Sequence, residues 1–543
     1  MKLFLILVLA LTAAAPAPIE PKRIAADVRK LSSDEFAGRG PGEPGEAKTI
    51  EFLSRSFAAI GLEPAGESGK WTQDVPLIRL NRLPGAQMSL TIGRNTRSLQ
   101  LGPQATLSLR NAGSFAVKDA PLIFAGWGVV DPSRGWNAYD GIDMRGKIAV
   151  VLANDPDFEA GRDLGFGGRA LTIAGRTGTK VAAAARAGAS GVLVIHEEAA
   201  LSWPYSQAGS GDLLPAFSFA PLQASALGFT SIVRQDVAEG VLRQLGFSLQ
   251  ALKVRARNAG FRAFPLGSTR LSVSGSNKAT PIISRNVIAK IRGSARPAEQ
   301  VLYGAHWDAN GHDGGPDATG DVIRNGAIDN AIGTAELLEI ARAFKAGPPP
   351  ARTVLFAAWT AEEKGLLGSE YYAAHPLFPL ATTAAVINLD PHVALPAARN
   401  LELIGPGQTD LEGDLRSVAA GAGLRVDPEP SPGAGWYFRS DHYPFAQRGV
   451  PSLAFRGGRD LIAGGLPEGD RVVKSYNRAC YHQPCDEVDP SWTFAGTAQE
   501  ARAAFDVGLK VANSFAWPDW LASSPYRAIR AESSVQRVSP KRQ

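Results

Sequence analysis

Apolar residues recur at i, i+3 and i+4 through RIAADVRKLSSDEFAGRG (23–40) and GEAKTIEFLSRSFAAIGLEP (45–64). That period predicts two amphipathic helices, the second stopped by Gly61 and Pro64. From 75 to about 109 the period falls to two in AQMSLTIG and RSLQLG, so short strands are expected. Residues 116–258 read as a separate α/β unit. APLIFAGWGV and GKIAVVLAND have strand character, and GTKVAAAARAGASGVLVIHE reads as helix, glycine turn and buried strand.

Beyond 259 the pattern becomes a long alternation. NVIAKIRG, QVLYGAH, TVLFAAW, AAVINLD, LELIG and VPSLAF are short β-branched runs, and helical periods at 329–345, 364–374, 410–421 and 496–514 separate most of them. Such alternation predicts an α/β fold, a mixed and mostly parallel sheet flanked by helices. The expected division is a leader at 1–18, an N-terminal part at 19–115, the inserted unit at 116–258, a main domain at 259–520 and a weakly patterned, mobile tail at 521–543.

Length and composition agree with several folded units: 543 residues, 45% apolar and 20% charged. The net charge of +5 comes from 57 basic and 52 acidic residues without a basic stripe, so no nucleic-acid partner is expected. Lys2, the apolar run 3–11 and TAAAPAPIEP have the form of an export signal, too short to span a bilayer. A secreted or periplasmic protein without stable membrane insertion follows, in a compartment where disulfides persist.

Chemistry concentrates at the ends of the predicted strands. GAHWDANG presents His306 and Asp308, NGAIDNAIG presents Asp329 and AAWTAEEKG presents Glu362 and Glu363. INLDPH ends at Asp390 with His392 beyond it, and YHQPCDEVD carries His482. Imidazole and carboxylate are the donor set of catalytic zinc sites. Each motif alone is common surface chemistry; the ordered set, each member after an apolar run, is not. His196 and His375 read as structural or surface groups.

These segments resemble the M28 family of zinc peptidases. LSSDEFAGRGPGEPGEAKTIEFL, SDHYPFAQRGVPSLAF and YHQPCDEVDP resemble its landmarks, and 116–258 resembles the protease-associated (PA) domain often inserted before its metal site. The resemblance implies two Zn²⁺ per chain. His306 and Asp390 would hold one, Glu363 and His482 the other, with Asp329 bridging and Glu362 as general base to a zinc-bound hydroxide. Three carboxylates against two Zn²⁺ leave +1, which that hydroxide neutralises. Asp308, Asp441 and His442 would orient the ligands. The substrates implied are peptides, and the activity implied is that of an aminopeptidase.

Other readings keep the scaffold. Arg439 or Arg456 could read a C-terminal carboxylate, as a carboxypeptidase or dipeptidase requires. Trp436, Tyr437, Phe438 and Arg439 could also form a side-chain pocket. A non-catalytic binding protein would have lost ligands, and none is missing. Cys480 and Cys485, the only cysteines, bracket His482. Thiolate ligation, a redox pair and a disulfide are the three readings. The spacing is not Cys-x-x-Cys, the resemblance already supplies the ligands, and export favours the disulfide.

Overall fold

The computed structural model describes residues 18–537 apart from 163, 226 and 392. His392 and the leader, apart from Pro18, therefore lie outside the described residues. The lead-in forms helices Pro21–Leu31 and Pro44–Ile60, the second capped by Gly61 at φ 89°. Only a residue without Cβ adopts that left-handed cap cheaply. Ile24, Val28, Leu31, Leu53 and Phe57 are fully buried against the main core.

The predicted α/β sheet is present. Its strand order is Glu63–Pro64, Phe264–Ile291, Arg352–Trp359, Arg296–His306, Thr383–Asn388, Ser452–Gly457, Asn400–Leu403 and Arg425–Pro428. The central strands run parallel, with His306 opposite Trp359 and Gly304 opposite Asn388. Arg352–Trp359 and Thr383–Asn388 are buried throughout, as continuous apolar runs in a covered parallel sheet should be. Helices Gly333–Ala346 and Ala495–Asn513 pack over them through Phe344 and Phe505, whose ring centroids lie 4.8 Å apart.

The inserted unit is built on parallel strands Gly113–Phe124, Ile148–Leu152, Gly191–Ile195 and Phe229–Val233. Its core also takes in Met88, Leu90, Leu99, Leu107 and Leu109, which precede residue 116. Phe264–Ile291 is one continuous strand serving both units. Its first half pairs with Gly113–Phe124 and Gln87–Ile92, its second with Thr72–Arg82 and Arg352–Trp359. Helix Gly465–Ala479 lay outside the expected elements. The tail expected to be mobile instead packs: Tyr526 and Arg530 are buried, the second on helix Arg527–Glu532. A buried phenol ring removes more area from water than the Ser- and Arg-rich composition suggests.

Glu336 and Glu500, on the two packed helices, are buried carboxyls. Burial raises Glu336 well above the ordinary range, with Glu500 adding to it, and raises Glu500 to about 8. A carboxyl raised in the folded state contributes stability below its unfolded value of about 4.3, lost as pH climbs through the folded one. Glu336→Gln is expected to stabilise by about 1–3 kcal/mol at pH 8 and by almost nothing at pH 4. Urea unfolding midpoints at the two pH values check this.

Candidate active site

Three parallel strands deliver their C-terminal ends to one edge. His306 ends its strand, Asp390 follows Thr383–Asn388, and Glu362 and Glu363 follow Arg352–Trp359. The carboxyl edge of an open α/β sheet is where sites collect. Asp329 arrives on the turn before helix Gly333–Ala346, next to a cis Asp329–Asn330 bond. That turn lies tight on the sheet, since a Cβ at Gly333 would come within 2.3 Å of the Leu389 carbonyl oxygen. His482 comes from the loop after helix Gly465–Ala479 at φ 61°, a left-handed conformation that non-glycine residues hold only under local constraint.

Asp329 stands between the imidazoles. Its Oδ1 lies 3.2 Å from His306 Nε2 and its Oδ2 3.1 Å from His482 Nε2. His306 Nε2 is 3.8 Å from Asp390 and 3.9 Å from Glu362, and His482 Nε2 is 3.0 Å from Glu363. Two clusters result, His306–Glu362–Asp390 and Asp329–Glu363–His482. Donors on one tetrahedral zinc lie about 3.3 Å apart, close to these separations. Four largely buried carboxylates around two imidazoles also need cations to offset their charge. The residues present fit a pair of metal ions.

The same charges act on the protonation of the two imidazoles. Burial works against charge on both imidazoles, but the carboxylates prevail. His306 is raised well above its ordinary value, chiefly by Glu362. Glu363 and Asp329 push His482 to about 10. The His482 side chain is 32% exposed, and the carboxylates at 3.0–3.1 Å still favour its protonated form. Burial likewise opposes ionised Asp329, but hydrogen bonds from both imidazoles hold it well below the carboxylate range. Burial raises Glu362 well above that range, against the pull of His306 and with Asp441, Asp390 and Glu363 adding.

Around this set, Asp308 lies beside the other ring nitrogen of His306. Nδ1 meets the Asp308 backbone carbonyl at 3.0 Å and lies 3.7 Å from its Oδ1. The carboxylate also accepts the Glu362 and Glu363 backbone N–H groups at 3.1 and 3.4 Å. It thereby anchors the turn on which Ala361, at φ 52°, lets the two glutamates diverge. Asp441 accepts from Ser369 and is raised by burial to about 7. His442 is wholly buried, which lowers it to about 4, so it stays neutral.

Sequence reasoning missed three supports. Asp486 accepts the N–H groups of Ile328 and Asp329 at 2.9 and 3.1 Å and the Tyr476 hydroxyl at 3.1 Å. Ser440 donates to Asp390 and accepts from Asn388 at 2.7 Å. Arg39, fully buried, donates to the carbonyls of Trp307, Leu31, Asn325 and Gly326. The Arg in the FAGRG stretch and the Asp after Cys485 were visible in sequence, but nothing local revealed their partners.

Residues 286–505 match the model of peptidase family M28, and residues 111–224 that of the PA domain. The stretch from 286 to 505 is thus an M28 peptidase domain. Mouse aminopeptidase NAALADL1 is 34% identical over 164 residues, 29% of this chain and 20% of that protein. A glutamate carboxypeptidase 2 homolog of Caenorhabditis briggsae is 32% identical over 203 residues, 32% and 24% of the two chains. These matches span only about a fifth to a quarter of the relatives' length. Among solved structures, an aminopeptidase from Aneurinibacillus sp. strain AM-1 shares the fold with a TM-score of 0.54 at 17% identity, covering 91% of this chain and 94% of that one.

Beside the paired clusters the M28 domain holds a small cavity. Trp436 and Arg439 line it, and Phe438 lines a neighbouring cleft under the PA domain. Tyr437 does not take the expected wall position. It is 5% exposed, its ring packed on Phe438 and His442, because successive side chains of the 3₁₀ turn Trp436–Phe438 point about 120° apart.

Cys480 and Cys485 form a disulfide with Cα atoms 5.1 Å apart, which removes both thiols from ligation. It closes a short loop around His482, whose ring stacks on Tyr481 at 3.8 Å. Unfolded, unreduced protein is expected to contain no titratable thiol. Replacing both cysteines by serine should lower the unfolding free energy by about 2 kcal/mol in the chain-entropy description.

Proposed function

We propose that this chain is an exported zinc exopeptidase, an aminopeptidase that releases N-terminal residues from peptides. The observation carrying it is Asp329, placed with one carboxylate oxygen toward each of two imidazoles. His306 and Asp390 would hold one zinc, Glu363 and His482 the other, and Asp329 both. When bound, zinc supplies Lewis acidity, polarising a peptide carbonyl and acidifying water. Glu362 is the proton carrier. Its carboxyl faces the cavity and its turn is held by Asp308, so it can accept a proton from water and return it to the departing amine. The carboxylates at the cavity edge favour a free α-ammonium there. Export is supported by the disulfide, and no helix among the described residues is long and apolar enough to cross a membrane.

Peptides with a free amine are expected to be hydrolysed and their N-acetylated forms left intact, and a chelator should abolish the reaction. Cleavage of only the blocked peptides would replace this reading with that of a carboxypeptidase.

A further inference from the structure

Two guanidinium groups, Arg439 and Arg456, face the cavity from the wall beside Trp436. They differ in what they hold. Arg456 donates to Glu402 at 3.1 Å and shares that carboxylate with Arg459. Arg439 lies over Trp436, 4.4 Å from the ring centroid, and among the described residues donates only to the Tyr481 hydroxyl at 3.3 Å. No carboxylate among the described residues lies within 4.0 Å of it. A guanidinium carries five donors in a planar fork that matches a carboxylate bidentately. One is used here.

Its placement is fixed from outside the M28 domain. The Leu171 N–H bonds the Pro432 carbonyl at 3.0 Å, and Asn154 Nδ2 bonds the Gly433 carbonyl at 3.0 Å. Arg176 lies over the rings of Phe438 and Tyr443 at 5.7 and 4.3 Å. The PA domain thus pins the stretch 432–443 at both ends, so Arg439 is presented with little freedom left to lose on binding.

Resting on the exopeptidase reading, we propose that Arg439 recognises a carboxylate on the substrate and selects peptides with an acidic N-terminal residue. The charge layout carries this. Asp329, Glu362 and Asp390 line the cavity around His306, and Arg439 lines the same cavity more than 4.0 Å from any carboxylate among the described residues. A terminal Glu or Asp offers an ammonium to the first and a side-chain carboxylate to the second. The other source of the same group is the α-carboxylate of a short peptide's C-terminus.

The test compares wild type, Arg439→Met and Arg439→Lys, each zinc-loaded, on glutamyl- and glutaminyl-p-nitroanilide and on N-acetyl-Ala-Glu with a free or amidated C-terminus. Wild type is expected to prefer glutamyl over glutaminyl by about 10- to 100-fold in kcat/KM. Arg439→Met should erase that ratio, and Arg439→Lys should restore part of it. If Arg439→Met instead erases only a preference for the free over the amidated C-terminus, Arg439 reads a carboxylate but the acidic-residue source is wrong. An unchanged glutamyl-to-glutaminyl ratio in Arg439→Met, or no such preference in wild type, overturns the proposal.

Calorimetric binding of L-glutamate against L-glutamine gives a readout without turnover. If wild type cleaves nothing, the exopeptidase reading falls, and this binding difference, present in wild type and lost in Arg439→Met, decides Arg439 separately. Equal metal content and melting temperature across the three proteins would exclude misfolding as the cause.

Discussion

Glu362→Gln is expected to keep its bound metal and lose on the order of 10²- to 10⁴-fold in kcat. The substitution preserves shape, and the backbone N–H of residue 362 still reaches Asp308 at 3.1 Å, so the turn should stand. What disappears is a carboxyl able to take and return a proton beside the cavity. The same variant separates two roles the geometry allows. Glu362 lies in one cluster with His306 and Asp390, as a ligand would, yet it is 3.9 Å from His306 Nε2 whereas Asp329 is 3.2 Å away. Metal content measured alongside turnover distinguishes them. Retained metal with lost turnover marks the base, lost metal marks a ligand, and full activity removes Glu362 from the mechanism.

Asp329→Ala should have the broader effect, because one carboxylate faces both imidazoles. Metal affinity at both positions is expected to fall by on the order of 100-fold or more, and activity to background. Stability gives an independent check. A metal that binds only the folded chain stabilises it in proportion to the logarithm of its concentration over Kd. Wild type should therefore melt at a lower temperature after chelation, whereas Asp329→Ala should respond little. Asp486→Ala should follow the same trend more weakly, since Asp486 holds the Ile328 and Asp329 N–H groups rather than a metal. A variant of Asp329 that still carries two tightly held metals would sink the bridging role.

Much of this was legible before any coordinates. QVLYGAH, TVLFAAW and AAVINLD are continuous apolar runs that only a covered parallel sheet accommodates, and each ends on a group that can bind metal. The donor types also restricted the chemistry, since imidazole with carboxylate suits zinc and two cysteines behind a leader of export type suit a disulfide. Tyr437 and the tail were misjudged for one shared reason. Whether a ring faces a cavity or a core depends on the local turn and on what packs against it, which periodicity over a few residues does not encode.

The sequence by itself determined the element types, the strand-end positions of His306, Glu362, Glu363 and Asp390 and the ligand chemistry, because these depend on local period and side-chain type. Only the tertiary structure decided that Asp329 lies between two imidazoles, that Asp486 and Arg39 hold the turns carrying them, and that one strand from Phe264 to Ile291 joins both units. It also decided that Arg456 is occupied by Glu402 while Arg439 faces the cavity with no carboxylate partner among the described residues. Those relations span tens to hundreds of residues along the chain. Their energies come from burial and from hydrogen bonds that form only when distant segments meet, so no local pattern can carry them.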